Sequence, residues 1–74
     1  MADQEFRKKF GDRLRILRLV RRLTQEQLAE LAGLSVNFVS LVETGQSSPS
    51  AETISKLAKG LGINEGELFK FDER

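Results

Sequence analysis

The chain has 74 residues, with 12 lysine and arginine side chains against 11 aspartate and glutamate side chains, and it contains neither cysteine nor histidine. This length suits one small domain, which we expect to span residues 1–74. The lack of cysteine excludes disulfides and thiolate metal sites, and the lack of histidine removes the commonest metal ligand and general base. We therefore expect no catalytic residue, no metal site, no cofactor and no enzymatic activity.

Charge is distributed unevenly along the chain, although the net charge is only +1. Residues 1–22 hold eight basic and three acidic side chains, whereas residues 23–74 hold four basic and eight acidic ones. The basic half is either a surface that meets phosphates or a solvated helix with excess arginine. The apolar runs are far shorter than the roughly 20 residues that span a bilayer, and no signal peptide is evident. We expect a cytoplasmic protein without a membrane contact.

The first predicted helix covers residues 4–22, with Asp3 as a candidate N-cap. Gly11 costs this helix up to about 1 kcal/mol relative to alanine, a cost that close packing at this position would explain. One apolar stripe has spacings of four and three and consists of Phe6, Phe10, Leu14 and Leu17. Further apolar residues are expected to widen the buried face toward the end of the helix: Ile16, Leu19, Val20 and Leu23.

Two short helices joined by a turn are predicted over residues 24–44. Thr24 and Gln27 have the spacing of a capping box at the start of the second helix. Gly33 stops that helix, because glycine adopts a left-handed backbone without steric cost. Ser35 is the next N-cap, and Gly45 ends the third helix. The expected inward residues are Leu28, Ala29, Leu31 and Ala32 on the second helix, and Val39 and Val42 on the third.

Two more helices are predicted after a polar loop that contains the only proline, Pro49. Ser50 caps a fourth helix over residues 51–60, whose buried face holds Ile54, Leu57, Ala58 and Leu61. Asn64 caps a short fifth helix, with Glu67 completing a second capping box, and Leu68 is expected in the core. Three apolar residues near the end either form a dimer interface or close the core of the monomer: Ile63, Phe69 and Phe71.

The segments LTQEQLAELAGLS, FVSLVETG and SPSAETISKLAKGLGI resemble the Xre/Cro-type, lambda repressor-like helix-turn-helix domain. This group includes phage repressors and the controller proteins of restriction-modification systems. The resemblance implies an all-α, compact five-helix fold and a bacterial or phage-encoded transcriptional regulator. It also implies that a homodimer binds a pseudo-palindromic operator in double-stranded DNA, with the 35–43 helix in the major groove. RNA polymerase is a candidate further partner.

The resemblance implies base contacts from one edge of the third helix. Asn37 matches a base-reading position, and its amide could bond an adenine edge. Val36 and Leu41 could pack on thymine methyl groups. The alternatives are core packing for Val36 and an unremarkable exposed leucine for Leu41. The expected base-reading residues are Val36, Asn37, Ser40 and Leu41.

Phosphate contacts are implied around this helix, and the alternative for Gln25 is a plain helix-start residue. The loop that follows the helix carries no lysine or arginine, so its phosphate contacts would depend on hydroxyls, amides and main-chain N–H groups. Arg18 and Glu43 match a partly buried ion pair, which we interpret as architecture. The expected phosphate contacts are Gln25, Ser35, Phe38, Thr44, Gln46, Ser47 and Arg15.

A second hypothesis is an antitoxin-like or partner-binding helical module that uses the same fold without reading DNA. Fold alone does not determine function. The apolar outward residues Val36, Phe38 and Leu41 would suit a groove on a protein. A gel-shift assay with mixed duplexes at stated salt separates the two hypotheses.

Overall fold

A computed structural model describes the backbone of residues 2–71 and the side chains of residues 4–71. These residues form four α-helices and one short 3-10 helix: α1 (Ala2–Val20), α2 (Gln25–Ala32), α3 (Val36–Glu43), α4 (Ala51–Leu61) and the 3-10 helix (Glu65–Phe69). The all-α class is as expected. The expectation of five α-helices is wrong, because the last element is a single tight 3-10 turn.

Three helices begin at hydroxyl caps that the sequence predicted. The Thr24 hydroxyl accepts a hydrogen bond from the Gln27 main-chain N–H at 3.0 Å, and the Gln27 side chain accepts one from the Thr24 N–H at 2.8 Å. This completes the expected capping box of α2. Ser35 and Ser50 cap α3 and α4 in the same way, each accepting from the main-chain N–H three residues on. Each cap satisfies an N–H group that the helix cannot pair internally.

The turn between α2 and α3 depends on Gly33. This residue has a φ of +71°, a backbone angle that residues with a Cβ rarely adopt. The left-handed backbone lets the Leu34 N–H return to the carbonyl of Ala29 at 2.8 Å. As a result Ser35, the N-cap of α3, lies only two residues after Gly33, and α3 packs across α2, where the buried Ala29 leaves room for it.

The core contains one face of each helix, but not every apolar residue that the spacing assigned to it. Ile16, Leu19 and Val20 were expected in the core and are exposed instead. The inner line of α1 continues from Leu14 to Arg18, so these three residues lie on the outer side of the helix. Leu31 was also expected to be inward and is 58% exposed. The core residues are Phe10, Leu14, Leu28, Ala29, Ala32, Val39, Val42, Leu57, Ala58, Leu61 and Leu68.

The bounds of α1 differ from the expected residues 4–22. Asp3 lies inside α1 rather than at its cap. The helix ends at Val20, and Arg22 has a φ of +59°, the only positive φ among the described residues other than glycines. This left-handed residue lets the Leu23 N–H donate to the carbonyl of Arg18 at 3.1 Å. The left-handed conformation costs a residue with a Cβ about 1–2 kcal/mol of conformational energy.

Gly11 is where α1 comes closest to the C-terminus of α3. A Cβ at this position would overlap the carbonyl oxygen of Val42 and lie 2.5 Å from the carbonyl oxygen of Glu43. The close packing that would explain this glycine is therefore present. The contact sets how near α1 and α3 lie to each other.

The 3-10 helix closes the core from the side of α1. Leu68 is fully buried, as expected. The second capping box is absent, because the Asn64 side chain makes no cap hydrogen bond. Glu67 instead faces Arg13 of α1, whose Nε donates to the Glu67 carbonyl at 2.9 Å. The Glu67 carboxylate lies 3.4 Å from Arg13 Nη2 and 3.2 Å from Lys70 Nζ, and these contacts take the place of the reach back to Asn64. The contacts with Arg13 hold the 3-10 helix against α1.

No helix within residues 2–71 is both long enough and apolar enough to cross a bilayer. The same part of the chain contains no group of three or more acidic side chains that could hold a metal ion.

We expect Gly11→Ala to lower the free energy of unfolding by at least about 1 kcal/mol, measured by urea denaturation. The added Cβ meets main-chain oxygens, which cannot move independently of α3. This clash outweighs the gain of up to about 1 kcal/mol in helix propensity. The control is Gly66→Ala, where a Cβ meets nothing within 4 Å. Equal stability of the two variants would contradict the close packing of α1 on α3.

We expect Arg22→Gly to raise the free energy of unfolding by about 0.5–1 kcal/mol, the relief of left-handed strain less the greater freedom of unfolded glycine. Urea denaturation of wild type and variant measures this gain. Arg22→Ala is the control, since it removes the same side chain but keeps the Cβ. A gain of the same size in Arg22→Ala would show that the backbone conformation is not its source.

Candidate nucleic-acid interface

One side of α3 is fixed in the core. Val39 and Val42 are almost completely buried, as the spacing predicted. At the N-terminus the Ser35 hydroxyl accepts from the Phe38 N–H at 3.1 Å. At the other end the Gln46 N–H donates to the carbonyl of Leu41 at 2.8 Å. The helix is thus anchored at both ends, which leaves its opposite side as a rigid surface.

The opposite side of α3 carries the four residues that were expected to read bases. Val36 is 42% exposed, so the alternative of core packing is wrong for this residue. Asn37 is exposed, and its side-chain amide has no hydrogen-bond partner among the described residues. Ser40 and Leu41 are half-buried along the same edge. The N-terminal half of α3 therefore offers the most accessible polar and apolar groups.

A buried ion pair holds the C-terminus of α3. The Arg18 guanidinium donates through Nε to Glu43 Oε2 at 2.6 Å and through Nη2 to Oε1 at 3.1 Å. Both residues are more than nine-tenths buried. Arg18 also donates to the carbonyl of Leu23 at 2.8 Å, at the start of the segment that leads into α2. This two-point geometry satisfies charges that would otherwise be costly to bury.

Gln25 belongs to the same hydrogen-bonded group. Its side-chain Nε2 donates to Glu43 Oε1 at 3.0 Å, which the sequence did not reveal. Gln25 is therefore more than a plain helix-start residue, because it links the start of α2 to the end of α3. The second hydrogen of its amide and the main-chain N–H groups of Gln25 and Glu26, which Thr24 does not pair, stay available for an anion. Its expected phosphate contact stays a prediction.

The loop after α3 uses most of its polar groups internally. The Thr44 hydroxyl is within hydrogen-bonding distance of the carbonyls of Ser40 and Leu41, and it accepts from the Gln46 side chain at 2.9 Å. The N–H groups of Gln46 and Ser47 both donate to the Leu41 carbonyl. Few hydrogen-bond donors of the loop are therefore left to bind a phosphate. The expected phosphate contacts of Thr44, Gln46 and Ser47 stay predictions.

Phe38, Ser35 and Arg15 have different surroundings. Phe38 is half-buried against the hydrophobic core, and Ser35 is exposed while its hydroxyl caps α3. Arg15 is exposed on α1 and has no hydrogen bond or ion pair within the described residues. Of these three, Arg15 is the one with an unused charge.

The candidate dimer residues contribute to the monomer core. The Phe69 ring lies 5.5 Å from the Phe10 ring and 6.2 Å from the Phe6 ring, and the Phe71 ring lies 5.9 Å from that of Phe6, measured between centroids. Ile63 packs beside this core and is half-buried. Phe69 remains 41% exposed, so part of the cluster faces outward. A role of these residues in dimerisation stays a prediction.

Three more arginines, two in α1 and one directly after it, hold other elements through hydrogen bonds, a role that sequence reasoning missed. Arg7 Nε donates to the carbonyl of Gly45 at 3.1 Å, and Arg21 Nε donates to the carbonyl of Leu61 at 2.7 Å. Arg13 holds the 3-10 helix through Glu67. The seven-residue interval between Arg7 and Leu14, and between Leu14 and Arg21, places these side chains near the buried side of α1. That spacing is the signal that could have indicated an inward role.

Two capped helices that meet at a left-handed glycine, the second with one fixed and one exposed side, define a helix-turn-helix. Residues 9–69 match the family model described as "Helix-turn-helix domain". The chain belongs to this family, and within it to the Xre/Cro type.

Known relatives are transcriptional repressors and controller proteins rather than enzymes. The chain is 44% identical over 63 residues to the HTH-type transcriptional repressor RghR of Bacillus subtilis (strain 168), covering 82% of this chain and 47% of RghR. It is 39% identical over 64 residues to the cryptic phage CTXphi transcriptional repressor RstR of Vibrio cholerae, covering 86% of this chain and 58% of RstR. The chain thus spans about half the length of these curated relatives.

The fold of nearly the whole chain resembles that of a solved structure. The restriction-modification controller protein C.AhdI from Aeromonas hydrophila is 48% identical to this chain, with a TM-score of 0.85. The superposition covers 93% of this chain and 100% of C.AhdI.

We expect Arg18→Met to lower the free energy of unfolding by about 3–5 kcal/mol, because it leaves the Glu43 carboxylate buried without its cation. The double variant Arg18→Met, Glu43→Leu removes both charges. We expect it to be more stable than Arg18→Met alone, which urea denaturation of the double-mutant cycle measures. Additive losses from the two substitutions would contradict the ion pair.

Proposed function

We propose that this protein is a sequence-specific DNA-binding transcriptional regulator that inserts α3 into the major groove. The observation that carries the proposal is the exposed N-terminal edge of α3, where Val36 and the unpaired amide of Asn37 lie on a helix anchored by Val39 and Val42. A rigid helix with free hydrogen-bonding groups can present them to base edges without further loss of conformational freedom. The repressor relatives support the same function.

In this proposal Asn37 reads an adenine through its amide, and Val36 and Leu41 contact thymine methyl groups. Ser40 supplies a hydroxyl on the same edge. Phosphates lie against the start of α2 at Gln25 and around the ends of α3, where Ser35, Phe38 and the 44–47 loop stand. Arg15 adds a charge from α1.

We further propose that the protein binds as a homodimer to a pseudo-palindromic operator. Major-groove helices of a two-fold dimer must lie one helical turn apart, about 34–36 Å, to enter successive grooves. The outward part of the aromatic cluster, Phe69 with Phe71 and Ile63, is the proposed interface. The small core of 74 residues is consistent with stabilisation by a second subunit.

Selection of bound duplexes from a random DNA pool tests the function. We expect an enriched motif with two related half-sites whose centres are about 10 base pairs apart. Sedimentation of the complex gives the number of subunits per duplex. Failure to enrich any motif, with unchanged folding of the protein, would overturn the proposal in favour of a partner-binding module.

We expect Asn37→Ala to lose about 1–3 kcal/mol of discrimination at one base pair of the selected site. Binding to duplexes altered at each position in turn measures this loss. Asn64→Ala is a matched control, because Asn64 is also exposed and its side chain makes no cap hydrogen bond. An equal loss of affinity for every duplex would show that Asn37 does not read a base.

A further inference from the structure

Seven of the eight basic residues in or directly after α1 fall into two groups with different contacts, and the eighth, Lys9, is paired with Glu5. Four arginines point toward other elements and donate to a carboxylate or a main-chain carbonyl: Arg7, Arg13, Arg18 and Arg21. Three other basic residues are exposed and have no such anchoring contact within residues 4–71: Lys8, Arg15 and Arg22. We refer to these three as the outer row. The four contacts explain the first group as architecture but leave the outer row without a structural role.

The outer row follows the edge of α1 that borders α3. Lys8 and Arg15 are seven residues apart, which is about two turns or about 10 Å along the helix axis. Gly11 and Arg18, which contact the end of α3, alternate with them at intervals of three and four. Residues at these intervals share one face of a helix. Lys8 and Arg15 therefore lie beside the contact between α1 and α3.

One end of the outer row lies next to the loop after α3. The backbone of Lys8 is so close that a Cβ on Gly45 would be 3.3 Å from the Lys8 Cα. Lys8, Thr44 and Gly45 line the same surface depression. The Lys8 side chain is 75% exposed, and its one ion pair, to Asp12 at 3.6 Å, is an exposed contact of little strength.

The loop itself is a poor phosphate binder. It has no lysine or arginine, and the N–H groups of Gln46 and Ser47 are already bonded to the Leu41 carbonyl. Arg7 brings one charge to the loop, but its Nε is already bonded to the Gly45 carbonyl. A further exposed cation from α1 would supply a charge free to contact a phosphate beside the loop. Lys8 is the exposed cation that borders it through Gly45.

The other end of the outer row carries backbone strain that serves the turn after α1, where the Leu23 N–H donates to the carbonyl of Arg18. Arg22 holds a φ of +59° where glycine would fit without strain. Its exposed side chain has no hydrogen bond or ion pair in the described part of the chain. It stands two residues before Thr24, which caps the start of α2. Because the strain serves the turn, it is the exposed guanidinium and not the backbone that makes Arg22 a candidate contact for a phosphate.

We propose that Lys8, Arg15 and Arg22 form a phosphate-binding surface along the DNA backbone, from the loop after α3 to the start of α2. This inference rests on the proposed DNA binding and adds to it a source of charge. The surface binds any duplex, because phosphate contacts carry no sequence information. Its main effect is on affinity and on salt dependence.

The salt dependence of binding tests this surface. The variants Lys8→Gln, Arg15→Gln and Arg22→Gln are titrated with the selected duplex and with an unrelated duplex between about 50 and 200 mM NaCl. We expect each variant to bind both duplexes more weakly. Each should also lower the magnitude of the slope of log K against log salt by about 1, the loss of one phosphate contact.

Lys56→Gln is the matched control. Lys56 is an exposed lysine of α4 in the same type of four-residue ion pair, with Glu52, as Lys8 has with Asp12. Its slope should equal that of wild type.

Two variants of Arg22 add a readout that a structural role would not give. Arg22→Lys should retain the wild-type slope, whereas Arg22→Gly should be more stable in urea and yet bind DNA more weakly.

The outcomes separate this surface from the proposed function. If wild type binds no duplex at any salt concentration, the function itself is overturned, and the surface with it. If wild type binds and the three variants keep its slope, only the surface is overturned. If only Arg15→Gln changes the salt slope, Lys8 and Arg22 do not belong to the phosphate-binding surface. A loss on the selected duplex alone would mean base reading, and it would also overturn the phosphate assignment.

Discussion

The buried ion pair between Arg18 and Glu43 is the interaction on which the arrangement of α1, α2 and α3 depends. It joins the last turn of α1 to the end of α3, and Gln25 adds a hydrogen bond from the start of α2. A carboxylate without water is stable only where its donors are held in place. The pair therefore sets the direction in which α3 crosses the core, and with it the edge that begins at Val36.

The close approach at Gly11 makes this ion pair geometrically possible. Because Gly11 has no side chain, α1 lies against the last carbonyls of α3. Arg18, two turns further along α1, can then reach the buried carboxylate of Glu43 with two donors. One missing Cβ and one charged pair thus act together, and the exposed edge of α3 is rigid for the same reason.

Local interactions explain why much of the fold could be predicted from the sequence. The caps at Thr24, Ser35 and Ser50 connect atoms only three residues apart, so their chemistry is visible in the sequence itself. The inward pair Val39 and Val42 follows from helical spacing alone. The exposure of Ile16 and Leu19 could not be predicted in this way. An apolar residue is buried only where another element covers it, and nothing local states which side of α1 is covered.

The sequence by itself determined the starts of α2, α3 and α4, the turn at Gly33, the family and the candidate edge of α3. Only the tertiary structure decided how each arginine of α1 is used. Arginines at neighbouring positions look alike in the sequence, yet Arg18 is buried against Glu43 while Arg15 stays exposed and without a partner in the part of the chain that the structure describes. The physical reason is that a guanidinium donates to whichever acceptor the folded chain brings within about 3 Å of it. Those acceptors lie up to 54 residues away along the chain.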